Sequence, residues 1–80
     1  MSAYIHETAE ISKRAKIGNG TKIWHHSQIR EDTIIGKNCV IGKGVYIDQN
    51  VIIGNNVKIQ NYVSVYNGVT IEDDVLLAPN

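Results

Sequence analysis

The residue types able to do chemistry in this 80-residue chain are few and fall in two stretches. Near the start, His25 and His26 are adjacent and Trp24 precedes them, with His6 18 residues before Trp24. Imidazole titrates near neutral pH, so either of the paired histidines could act as a general base or hold a phosphate. A pair at an exposed corner could equally be solvated or lie between subunits. Trp24 over His6 would make an aromatic ledge for a flat ring, or a packing patch at a subunit face. Toward the end come Gln60, Asn61, Tyr62, Tyr66 and Asn67. Amide side chains can hydrogen-bond sugar hydroxyls and a phenol can hydrogen-bond a phosphate. The same amides could instead serve turns. Glu72, Asp73 and Asp74 read as a solvated acidic corner. A zinc site needs three converging histidines. His25 and His26, as neighbours, point different ways and His6 is distant in sequence, so no metal is expected. Thr8, Thr21, Thr33 and Thr70 form no flat threonine array of the kind that binds ice.

What must position these side chains is a repeat of six. Every sixth residue from Ile5 through Ile11, Ile17 and onward to Val65, Ile71 and Leu77 is aliphatic, without an insertion. The residues two places earlier, from Ala3 and Ala9 through Thr21, Ser27, Thr33 and Cys39 to Val69 and Val75, are all small or β-branched. Residues two apart on a strand share a face. Each hexad therefore predicts one short strand with two inward side chains, followed by a corner. The corners are rich in Gly and Asn, as in 18–20, 36–38 and 54–56. Both tolerate the positive φ that a sharp corner demands. Gly18, Gly36 and Gly54 recur every 18 residues, or three hexads. The expectation is an all-β triangular prism of about 4.4 coils of 18 residues, spanning 1–80 as one domain, about 20 Å tall. A helix would need apolar residues at three and four spacing. Handedness does not follow from the repeat. The crossover rule on its own favours a right-handed winding.

Composition narrows the function classes. Eight basic residues balance eight acidic ones, which argues against a general nucleic-acid or anionic-membrane surface. No apolar run approaches the roughly 20 residues of a membrane span. The N-terminal residues have neither the basic start nor the apolar run of a secretory signal. Cys39 is the single cysteine, so an intrachain disulfide is impossible and a reducing, cytoplasmic setting is expected.

The hexad order of an aliphatic, often Gly, two turn residues, a small residue and one more resembles the left-handed β-helix acyltransferases. Three stretches carry a closer likeness: Tyr4 to Ala9, Ile17 to Ser27 with its Ile-Trp-His-His, and Ile53 to Val75 with its Gln-Asn-Tyr-Val-Ser-Val-Tyr-Asn-Gly. They are similar to bacterial nucleotide-sugar N-acetyltransferases, which acetylate the amine of UDP-2-acetamido-3-amino-2,3-dideoxy-glucuronate or of related dTDP-linked 3-amino sugars for surface polysaccharide. The resemblance implies a single-stranded left-handed parallel β-helix, acetyl-CoA as co-substrate, a nucleotide-linked amino sugar as acceptor, and a homotrimer with sites between neighbouring prisms. Substrate binding is expected at Trp24, His25, His26, Gln60, Asn61, Tyr66, Asn67 and Asn80, and no catalytic residue is assigned, since a sugar amine of near-neutral pKa needs little base help. Where the family has Gly-Pro followed by further coils, this chain reads Ala78-Pro79-Asn80. The chain is therefore expected to be the N-terminal half of such an enzyme, truncated at its C-terminal end. An open coil end invites pairing, so self-association is expected. The alternative is a catalytically silent, truncated or engineered β-solenoid scaffold that only self-assembles.

Overall fold

The computed structural model describes residues 2–79. The chain winds as a β-solenoid because each sixth residue must leave water while the corners between must stay in it. Thirteen two-residue strands, β1 to β13, alternate with tight corners. The first face stacks β1 (Tyr4–Ile5), β4 (Lys22–Ile23), β7 (Val40–Ile41), β10 (Lys58–Ile59) and β13 (Leu76–Leu77). The second stacks β2 (Glu10–Ile11), β5 (Gln28–Ile29), β8 (Tyr46–Ile47) and β11 (Ser64–Val65). The third stacks β3 (Lys16–Ile17), β6 (Ile34–Ile35), β9 (Ile52–Ile53) and β12 (Thr70–Ile71). All pairings are parallel and join residues 18 apart, for example Lys22 with Val40 and Ile23 with Ile41. This is the all-β prism that the hexads predict, consistent with a left-handed β-helix of about four turns.

The axis is an aliphatic column. Ile23, Ile41 and Ile47 are fully buried, and Ile29, Ile35, Ile53 and Ile59 almost so. Each such side chain contributes roughly 1.5–3 kcal/mol of transfer free energy before chain entropy is counted. The column thins at its first member. Ile5 is 42 % exposed, because β1 has a neighbouring strand on one side only.

The smaller inward residues do more than fill space. Thr21, Ser27 and Thr33 are fully buried, and each hydroxyl makes two bonds to the coil above. Thr21 Oγ1 donates to the Gly36 carbonyl at 2.7 Å and accepts from the Cys39 N–H at 3.0 Å. Ser27 Oγ donates to the Gly42 carbonyl at 2.7 Å and accepts from the Val45 N–H at 3.4 Å. Thr33 Oγ1 donates to the Asp48 carbonyl and accepts from the Val51 N–H. Above them Val45, Val51 and Val57 continue the same positions as apolar groups.

At the third residue of most corners φ is positive. Between the second and third faces that residue is Asp32, Asn50 or Gly68, and between the third and first it is Gly20, Asn38, Asn56 or Asp74. Between the first and second faces it is His26, Gly44 or Tyr62. The edge between the second and third faces is further tied by ion pairs. Arg14 grips Asp32 through Nε at 3.1 Å and Nη2 at 2.6 Å. Arg30 holds Glu31 through Nε at 3.0 Å. These hydrogen bonds hold the Asp32 and Glu31 carboxyls below the usual carboxylate range.

Candidate functional site

The corner between the first and second faces gathers most of the residues singled out by sequence. Backbone hydrogen bonds stack Trp24, Gly42 and Gln60 directly above one another. Trp24 N–H donates to Ile41 at 3.0 Å, Gly42 N–H to Ile59 at 2.8 Å and Gln60 N–H to Leu77 at 2.9 Å. Along this corner runs an open groove of about 590 Å³. Trp24 forms its lower wall, Gly42 its floor, and Gln60, Asn61 and Tyr62 its upper wall. The outward residues Val40, Lys58 and Leu76 of the first face form one flank, and Pro79 also lines the groove.

Gly42 makes this floor possible. A Cβ there would lie 2.5 Å from Asn61 Oδ1, 2.9 Å from Asn61 N and 3.0 Å from the Gln60 carbonyl carbon. Any side chain would lift the corner above and fill the groove. Gly44 has φ +66 and would put a Cβ 2.5 Å from the Tyr62 ring. That ring therefore lies flat over a bare stretch of backbone, with Lys43 Nζ 5.7 Å from its centroid. Tyr62 is 68 % exposed and held at φ 65. A bulky residue in that region is strained, and such strain collects at functional sites.

Among the described residues that line the groove, Lys58 is the sole charged one. An apolar wall with aromatic rings at its two ends and one cation suits a ligand with a flat ring and an anionic group. Gln60 and Asn61 add amides. Asn61 Oδ1 already accepts from the Lys43 N–H at 3.0 Å, which leaves its NH₂ as the group able to donate outward.

The remaining sequence-predicted residues fall elsewhere. His25 and His26 share the corner of Trp24 but do not line the groove. The expected stack of Trp24 on His6 is replaced by two others. The Trp24 ring leans onto Tyr4 with centroids 5.3 Å apart, and His25 lies over His6 at 3.8 Å. His6 Nδ1 lies 3.0 Å from Thr8 Oγ1, and Thr8 Oγ1 accepts the His26 N–H at 2.8 Å. The 18-residue count fixes which backbones pair, but each ring then takes the rotamer that packs best. Among the described residues, no three His, Cys, Asp or Glu side chains gather as metal ligands would. Tyr66 and Asn67 lie on the corner between the second and third faces, apart from Gln60 and Asn61. Asn80 lies outside the described residues. Val40, Lys58 and Leu76 escape the sequence reading, which considers corners and not outward strand positions and takes Gly42 only as a turn residue. Counting back 18 from Gln60 to Gly42, and two from Gln60 to Lys58, is the signal that finds them.

The family model described as bacterial transferase hexapeptide, six repeats, matches residues 14–49 and again 50–80. The chain belongs to the bacterial hexapeptide-repeat transferases. The first match spans 36 residues, which is two complete coils of this hexapeptide prism. No individual curated protein matches the chain significantly. The family supports a general acyltransferase-type role. No helix among the described residues is long and apolar enough to cross a membrane.

Proposed function

We propose that this hexapeptide-repeat chain carries the substrate groove of an acetyl-CoA-dependent N-acetyltransferase that acts on the amine of a nucleotide-linked amino sugar in the cytoplasm. The observation that carries this reading is the groove that joins Trp24 to Gln60 and Asn61, 36 residues away, over a glycine floor. The flat base would lie against Trp24 or Tyr62. Lys58 would meet the diphosphate, and the amides of Gln60 and Asn61 would hold sugar hydroxyls. The acetyl group would pass from the thioester sulfur to the sugar nitrogen. The amine would lose its proton and the thiol of coenzyme A would leave. The groove's part in that step is to hold the neutral amine against the thioester, which converts binding energy into rate.

Association as a homotrimer fits the same reading. Ile34 and Ile52 face outward side by side on the third face, at 46 % and 50 % exposure. Such a pair favours contact with another prism. The same pair also favours the second reading, a silent scaffold that only assembles.

Trp24 is the single tryptophan, so its fluorescence reports on the groove directly. Titration with UDP-N-acetylglucosamine is expected to change that fluorescence saturably, and Lys58→Ala to weaken the response about tenfold, the loss of one charge-assisted hydrogen bond. Calorimetry should detect acetyl-CoA as a second ligand. A chain that binds neither ligand is a scaffold.

A further inference from the structure

A second cleft, of about 500 Å³, lies on the second face and reaches the corner beyond it. Its outward rank is Glu10, Gln28 and Tyr46, one residue from each of three successive coils. Arg30 and Glu31 close it at the corner. Gln28 Nε2 donates to Glu10 Oε1 at 2.9 Å. Arg30 is fixed by three contacts: Nε to Glu31 Oε1 at 3.0 Å, Nη2 to Glu31 Oε2 at 3.3 Å, and Nη1 to Tyr46 Oη at 2.9 Å. Glu31 is held in turn by Gln49 Nε2 at 3.0 Å.

We propose that this cleft binds the pyranose ring of an uncharged sugar. Charge is the first reason. Glu10, Arg30 and Glu31 sum to one negative charge, so a phosphate or nucleotide would be repelled where the Lys58 groove would attract it. Preorganisation is the second. A guanidinium has five N–H donors, and three are taken, which leaves two fixed in place on a side chain that is 42 % exposed. Matching of planar groups is the third. Neighbouring hydroxyls on a sugar ring form donor–acceptor pairs, and the Gln28 amide, the Glu10 carboxylate and the Arg30 guanidinium are planar groups that can engage such pairs. Stacked strands lie about 4.8 Å apart, so the rank from Glu10 to Tyr46 spans a sugar ring with an aromatic wall at one end. The pyranose is therefore that of a neutral sugar or glycan, because the same charge disfavours the diphosphate of a nucleotide sugar.

The test is two-dimensional NMR of the ¹⁵N-labelled chain, titrated in one arm with N-acetylglucosamine and in the other with UDP-N-acetylglucosamine. The free sugar is expected to move the Gln28 side-chain amide and the Arg30 Nε–H saturably. Gln28→Ala should weaken that binding about tenfold, the loss of one hydrogen-bonding partner. Amides of Ile34 and Ile52 on the third face should stay in place and report an intact fold. The free sugar should bind the cleft more tightly than the nucleotide sugar, whose diphosphate meets a net negative charge, and the reverse order overturns the proposal. The proposal is overturned if free N-acetylglucosamine leaves Gln28 and Arg30 unmoved, if only the nucleotide sugar moves them, or if Gln28→Ala binds the sugar as before. The groove at Gly42 and Gln60 is read by separate signals, so either site can fail without the other.

Discussion

Ser27→Ala tests the link between core and groove. The Ser27 hydroxyl is fully buried and serves two backbone groups in the coil above, the Gly42 carbonyl at 2.7 Å and the Val45 N–H at 3.4 Å. Alanine removes one oxygen and opens little volume, so the loss is almost wholly polar. A buried backbone group left without a partner costs about 1–3 kcal/mol. The Val45 contact is long and belongs at the lower end of that range, which gives a total of about 2–4 kcal/mol. For a domain of this size each kcal/mol lowers the melting temperature by about 4–8 °C. The variant should therefore melt at least about 8 °C below the parent, and urea unfolding should show a lower midpoint with an unchanged slope. Ser12→Ala is the control. Its hydroxyl accepts the Arg14 N–H at 3.1 Å at an exposed corner, where water can replace it, so its effect should stay within about 0.5 kcal/mol. Because Gly42 is also the groove floor, Ser27→Ala should weaken nucleotide-sugar binding as well. If Ser27→Ala and Ser12→Ala melt alike, the buried hydroxyls are not what ties one coil to the next.

Tyr62→Asn should separate stability from binding. Asn accepts positive φ readily, so relieving the strain at φ 65 should add about 1 kcal/mol, while loss of the ring removes the upper groove wall. A higher melting temperature with weaker UDP-sugar binding is expected, and a lower melting temperature would show that the ring stabilises the corner more than its φ strains it. Acid should loosen the edge between the second and third faces. Asp32 and Glu31 have carboxyls held below their unfolded values, near 4, so their contribution is present above that range and is lost as pH falls through the lower folded values. Asp32 is exposed and Glu31 half-buried near the surface, so the effect is small and salt-sensitive. Melting curves taken from about pH 6 to about pH 2 should show Asp32→Asn with a shallower decline than the parent, and equal declines would mean the Arg14 pair is inert.

The prism was readable because its core has a single instruction repeated without interruption. Ile23, Ile41 and Ile59 differ in neighbours but occupy one environment, so periodicity alone places them. Corners were readable wherever Gly, Asn or Asp holds the positive φ. What the count could not supply is lateral. It pairs the backbones of His6 and Trp24 but says nothing of the rotamers that send His25 onto His6 and Trp24 onto Tyr4. Nor does it reveal a groove. Lys58 and Leu76 look like ordinary solvated strand residues until the bare backbone of Gly42 leaves room beside them.

The three corners argue for where function sits. On two of them every residue with positive φ is Asp, Asn or Gly, the types that take it at little cost. On the third the same position holds His26 and Tyr62, and Gly44 between them leaves the space into which the Tyr62 ring settles. His, like Asn and Asp, enters this region comparatively readily, so the strain rests on Tyr62, whose largely exposed ring adds nothing to the buried core. The strain is kept on the one corner that also carries Trp24, the glycine floor and Lys58 alongside. A bulky ring held where a small polar residue would be easier, beside a bare stretch of backbone, supports the proposal that this corner binds a ligand.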